Sequence, residues 1–117
     1  MKRLKDKFYP AFSGILDLIK TESSVRTQLI LGIGAIVVGY LLKFSYSEML
    51  VVGVLALIVI SLECCNTIIE WLVDTTYAEY NENAKRIKDG AAAMVLVASI
   101  GSMFIGSYIL INNLFGG

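Results

Sequence analysis

The chain has no histidine and a single proline, and its two cysteines, Cys64 and Cys65, are adjacent. Neighbouring cysteines seldom bridge to each other, and no imidazole is available to complete a zinc site. The pair therefore reads as small buried hydrophobes. Charge is sparse: 17% of residues are charged, and ten basic residues balance ten acidic ones. A net charge of zero offers no electrostatic footprint for nucleic acid. No segment fits G-x-x-x-x-G-K-[ST], and Gly32, Gly34 and Gly39 lie in an apolar stretch rather than in a phosphate loop. No signal peptide is expected, because the first apolar run begins near Leu29 and no small-residue cleavage site follows it.

What is abundant is apolar surface. The hydrophobic share is 56% in 117 residues, one domain's length, and a soluble domain this small would struggle to hide it. The apolar residues fall into three runs. The first extends from about Gln28 to Leu42, between Arg26 and Lys43. The second begins near Ser47, after Ser45-Tyr46-Ser47-Glu48, which has capping-box spacing with Ser45 as N-cap. The third, Gly90 to Ile111, carries no charge. The expected fold is all-α: an integral membrane domain, 1–117, with transmembrane helices over 27–43, 47–74 and 88–112. Ahead of them, over 1–24, Leu4, Phe8, Ala11, Phe12, Ile15 and Ile19 recur at helical spacing among lysines and aspartates. This predicts an amphipathic helix on the membrane surface or a short soluble helix packed on the bundle, started or bent by Pro10.

Basic residues set the expected orientation. Lys2, Arg3, Lys5, Lys7, Lys20 and Arg26 precede the first span, and Lys85, Arg86 and Lys88 lie between the second and third. The first connection holds only Lys43, and the C-terminal tail has no charge. The positive-inside rule then places the N-terminus and the 75–89 loop in the cytoplasm and the C-terminus outside. The small residues Ala98, Ser102 and Gly106 on the third span, and Gly34, Ala35 and Gly39 on the first, allow close helix approach within or between protomers.

The second span carries an unusual polar face. Glu63, Asn66, Glu70 and Asp74 are at i, i+3, i+7 and i+11, and at about 100° per residue they fall within roughly 80° of one helix face. Counting about 20 residues from the outer end of this helix reaches the inner boundary near Thr67. Glu22, Lys88 and Asp89 arrive at the same depth from other parts of the chain. Carboxylates with an amide suit Mg²⁺, which prefers oxygen ligands and bridges to phosphates. A nearby lysine offsets phosphate charge, and a further carboxylate takes a proton from a hydroxyl nucleophile. These are the parts of a phosphoryl-transfer site acting on a lipid hydroxyl. An ion or proton carrier also uses intramembrane acids, usually nearer the middle of the membrane. Glu79 and Glu82 read as a solvated face.

The run Glu63-Cys-Cys-Asn66-Thr-Ile-Ile-Glu70-Trp-Leu-Val-Asp74, then Glu79-Tyr80 and Ala84-Lys85-Arg86-Ile-Lys88-Asp89, resembles the small prokaryotic diacylglycerol kinase family. That family includes the undecaprenol kinases of Gram-positive bacteria. Upstream, Ala11-x-x-Gly14 and Glu22-x-x-x-Arg26 also fit, so the resemblance covers nearly the whole chain. It implies a homotrimeric kinase of the bacterial cytoplasmic membrane, using Mg·ATP to phosphorylate undecaprenol or, alternatively, diacylglycerol, with sites completed between protomers. By the same resemblance Glu63 is the catalytic base, and Glu22 and Glu70 are Mg²⁺ ligands. Asn66, Lys88 and Asp89 belong to the phosphate and metal shell. Asp74, Tyr80 and Arg3 lie on the nucleotide side, and Ala11, Gly14 and Arg26 on the lipid side. One departure stands out: the family usually has histidine after the Glu-Tyr pair, where this chain has Asn81.

Overall fold

A computed structural model describes residues 2–116 as four helices: α1 (Lys2–Thr21), α2 (Ser23–Leu41), α3 (Tyr46–Thr76) and α4 (Glu82–Phe115). No strand occurs among the described residues. Helices α2, α3 and α4 are each long and apolar enough to cross a membrane. The N-terminal helix ends at Thr21, earlier than the expected 24, and α2 begins at Ser23 rather than 27. Helix α4 starts six residues before the expected 88, because Asn81 caps it. The Asn81 side chain accepts hydrogen bonds from the backbone N–H groups of Asn83 (2.9 Å) and Ala84 (3.1 Å). Helix α1 runs through Pro10 rather than starting there. Proline has no N–H, so the Asp6 carbonyl loses its usual donor at that turn.

Helix α3 is the middle of the fold, packing against α4 on one side and α2 on the other, while α1 touches mainly α2. The Cα envelope measures 56 × 44 × 20 Å, so the chain is flat. The α3 residues that disappear from the surface include Val52, Val59, Asn66 and Val73, at strict seven-residue spacing. That is the period of a helix–helix seam. From α4, Ala84, Ala91, Val95 and Ile109 are buried. Most other large apolar side chains point outward; Leu57, Leu72, Val97 and Phe104 are examples. A soluble protein would bury them, whereas hydrocarbon or a second copy of the chain accepts them. Of the small residues, Ala98, Ser102 and Gly106 are half-buried, Gly39 is buried and Gly34 is open. The apolar residues Leu4, Phe8, Phe12 and Ile15 of α1 are exposed, and Leu18, near the junction with α2, is buried.

The α2–α3 connection is a tight helix stop. Phe44 N–H donates to the Gly39 carbonyl (2.9 Å) and Lys43 N–H to the Tyr40 carbonyl (3.2 Å). This pair of bonds is a Schellman motif, and it puts Lys43 at φ 59°, a left-handed position that glycine usually fills. Gly39 allows the turn to close. A Cβ there would stand 2.8 Å from both the Met49 sulfur and the Phe44 ring. Helix α3 then starts with the expected capping box: Glu48 N–H donates to Ser45 Oγ (3.2 Å), and Ser45 N–H donates to Glu48 Oε1 (2.8 Å). The other Glu48 oxygen accepts from Asn113 Nδ2 at 3.0 Å, tying the start of α3 to the end of α4. Two substitutions test this corner by thermal unfolding in detergent. Lys43→Gly relieves the left-handed strain and should stabilise by about 1 kcal/mol. Gly39→Ala forces the contacts apart and should destabilise by about 1–3 kcal/mol.

Candidate active site

The polar residues singled out above gather at the end of the layer formed by the last turns of α3, the first turns of α4 and the α1–α2 junction. On α3, Glu63 and Asn66 are both only 8% exposed, and Thr67, the residue after Asn66, is 2% exposed. Glu70 is half-buried and Asp74 exposed. The face thus grades from a buried carboxylate to a wetted one over three turns. Asn66 Nδ2 donates to Glu70 Oε1 at 3.3 Å, one helical turn away. Its other side-chain atom, Oδ1, is buried without a partner. A buried amide oxygen lacking a donor is costly, by about 1–3 kcal/mol, unless something fills the gap.

Helix α4 contributes a cation. Lys88 Nζ lies 2.8 Å from Asp74 Oδ1, bridging the two helices. One turn earlier, Lys85 Nζ pairs with Asp89 Oδ2 at 2.6 Å. Between these pairs opens a cleft of about 370 Å³, whose lining includes Asp74, Tyr77, Tyr80, Asn81, Lys85 and Lys88. Tyr80 is 82% exposed at its rim. Asn81, in the place of the family histidine, spends its side-chain oxygen on the α4 cap.

Glu22 reaches the same end of the layer. Its Oε1 accepts a hydrogen bond from the indole Nε1 of Trp71 at 2.9 Å, across 49 residues of sequence. Arg26 turns its guanidinium back onto the carbonyls of Ile19 (2.8 Å) and Lys20 (2.9 Å), bracing the junction that carries Glu22. The structure therefore brings Glu22 to Trp71 on α3, the residue after Glu70, and joins Lys88 to Asp74. Ala11 and Gly14 are exposed on α1, and no atom outside their helix approaches Gly14. Arg3 is roughly 27 Å along α1 from Thr21, at 1.5 Å per residue, and is not brought to the cluster within one chain. Trp71 and Thr67 were not singled out from sequence. The position of Trp71 next to Glu70 was the available signal.

No group of three or more carboxylate, cysteine or histidine ligands converges among the described residues. Mg²⁺ needs only one or two protein carboxylates when phosphate and water supply the rest. Glu22, Glu70 and the unpartnered Asn66 Oδ1 are all hard oxygen donors, so the residues present fit such an ion.

Spans that cross a membrane, joined at one end by a graded carboxylate face and a facing lysine, define a polytopic membrane protein with a polar site where its helices emerge. The comparisons with known proteins agree in kind. The model of the family described as prokaryotic diacylglycerol kinase matches residues 9–110. A diacylglycerol kinase of Synechocystis sp. is 31% identical over 105 residues, 89% of this chain. The chain spans 60% of that relative's length. An undecaprenol kinase of Bacillus subtilis is 30% identical over 114 residues, covering 97% of this chain and 93% of the relative. The chain belongs to the prokaryotic diacylglycerol kinase family, a family of lipid kinases.

The Asp74–Lys88 pair is open to solvent, with side chains 63% and 39% exposed. Exposed pairs contribute little to stability. Asp74→Asn should therefore change the unfolding free energy by less than about 1 kcal/mol. A larger loss in a denaturation series would make the pair part of the scaffold.

Proposed function

We propose that this protein transfers the γ-phosphoryl group of ATP to the hydroxyl of a membrane lipid, and that the lipid is undecaprenol. The observation that carries the reading is the graded face of α3, with Glu63 buried at its apolar end and Asp74 paired to Lys88 at its wet end. A lipid hydroxyl and a nucleotide phosphate approach such a face from opposite sides. The polyprenol is favoured because the match to the Bacillus subtilis undecaprenol kinase extends over nearly the full length of both chains. Diacylglycerol is the alternative acceptor.

In this reading Glu63 takes the proton as the lipid oxygen attacks the γ-phosphorus, and the bond to the bridging oxygen breaks to release ADP. Burial of Glu63 keeps competing water from the proton acceptor. Lys88 and Asn66 contact phosphate oxygens, and Asp89 supports the metal shell. Glu22 and Glu70 would hold Mg²⁺, which when bound offsets phosphate charge. Asp74, Tyr80 and Arg3 flank the nucleotide, while Ala11, Gly14 and Arg26 border the lipid. Because α1 holds Arg3 away from the cluster of its own chain, the arginine is assigned to a neighbour's site in a homotrimer. The basic first turns of α4, with Lys85, Arg86 and Lys88, and the N-terminus face the cytoplasm of a bacterial cell, and α1 lies on the membrane surface with its apolar side in lipid.

The test is purified protein in detergent or lipid with Mg·ATP and each lipid in turn. Undecaprenyl phosphate should form, at a higher kcat/KM than phosphatidic acid. Phosphatidic acid as the preferred product would move the assignment to the alternative acceptor. No phosphorylated lipid, together with nucleotide-independent ion flux in sealed vesicles, would replace the kinase with a carrier. Glu63→Gln keeps the side-chain shape but removes the base. It should lower turnover by about 10²–10⁴-fold, with nucleotide affinity nearly unchanged by equilibrium binding. Near-normal turnover would reduce Glu63 to a structural role.

A further inference from the structure

Glu22 occupies the N-cap of α2, yet its carboxylate makes no capping hydrogen bond. Its backbone is extended, at φ −116° and ψ 115°, the conformation in which an N-cap side chain normally folds back onto its own helix. Ser23 and Ser24, better capping residues, are the next two in the chain. The carboxylate is instead directed across to α3, where Oε1 meets the Trp71 indole at 2.9 Å. No protein donor meets Oε2 among the described residues. The backbone is held on both sides of this point: Glu22 N–H donates to the Leu18 carbonyl at 3.0 Å and Arg26 N–H to the Glu22 carbonyl at 3.3 Å. The Arg26 guanidinium closes the α1 carbonyls beside it.

We infer that Trp71 is a positioning residue for Glu22, holding one carboxylate oxygen so that the other is presented to a divalent cation; this rests on the reading of Glu22 as a metal ligand. The chemistry of the partner supports the assignment. An indole N–H donates and never accepts, and it carries no charge. It therefore restricts the carboxylate to one rotamer without neutralising it, which a lysine or arginine in the same place would do. The bond also spans separate elements, since Glu22 lies at the α1–α2 junction and Trp71 on α3 one residue after Glu70. The second proposed ligand is thus on the same turn as the residue that orients the first. Trp71 is 38% exposed, so its ring is not a core filler whose only role is bulk.

Trp71 is also the only tryptophan in the chain, so tryptophan emission comes from this one side chain. The full chain in detergent, with a non-hydrolysable ATP analogue, should change its tryptophan emission as Mg²⁺ is added. The midpoint should match that of Mg²⁺ activation of the kinase, and Glu22→Gln should abolish or displace the response. Trp71→Phe keeps an aromatic ring and removes the donor. It should raise the half-activating Mg²⁺ concentration by about tenfold, the scale of one hydrogen bond to a charged group, while kcat at saturating Mg²⁺ stays within about twofold of the parent. Trp71→His restores a ring N–H and should recover part of the shift. A Trp71→Phe protein with reduced kcat or thermal stability and an unmoved Mg²⁺ midpoint would overturn the inference in favour of simple packing. Emission indifferent to Mg²⁺ in the unaltered chain would overturn it as well. If Glu22→Gln is displaced and Trp71→Phe is not, the positioning role falls and the metal role of Glu22 stands. If neither is displaced, both fall.

Discussion

Burying a carboxylate and an amide on a helix otherwise surrounded by hydrocarbon costs several kcal/mol unless protein or ligand groups meet them. Helix α3 carries that constraint, and much of the fold is arranged around it. Its seven-residue stripe, Val52, Val59, Asn66 and Val73, faces neighbouring helices, so Asn66 is covered by protein and not by lipid. The same turn that brings Asn66 inward also shields Glu63. Where α3 leaves the apolar zone the polar residues become progressively wetter, and the lysine of α4 and the indole bond to Glu22 enter only there. The candidate site thus lies where the polar face of α3 passes from buried to exposed.

A flat layer of helices has little interior to offer. Single-chain burial protects only the seams on either side of α3, and it leaves Leu57, Leu72, Val97 and Phe104 on the outside. The cleft by Asp74 and Lys88 is correspondingly open. Association of several copies would cover part of this surface. In a membrane that association draws on packing and on small residues, since lipid already satisfies apolar side chains. The open face at Gly34 is one place where another helix meets no obstacle.

The ends of the layer are fastened differently. At the α2–α3 turn, the capping box and the Schellman motif satisfy backbone groups locally, and one long-range bond, Asn113 to Glu48, ties in the end of α4. At the site end the fastenings are long-range and polar, Glu22 to Trp71 and Asp74 to Lys88. A rigid closed end and a polar end with an unpartnered Asn66 oxygen fit a scaffold whose chemistry is confined to one side.

By itself the sequence determined the three long apolar helices, the start of α3 at its Ser45–Glu48 box and the shared face of Glu63, Asn66 and Glu70. These are local consequences of composition, capping chemistry and the 3.6-residue period, which need no knowledge of neighbours. It also resembled the lipid kinase family strongly enough to anticipate the match over residues 9–110. Asn81, which the family resemblance sets in a histidine's place, is an equally local N-cap that starts α4 at Glu82. Other features were decided only by tertiary structure. Arg26 became a clamp on the α1 carbonyls, and Trp71 the partner of Glu22. The Arg26 and Trp71 contacts join groups whose separation depends on how helices turn and pack, and helical periodicity carries no information across a turn.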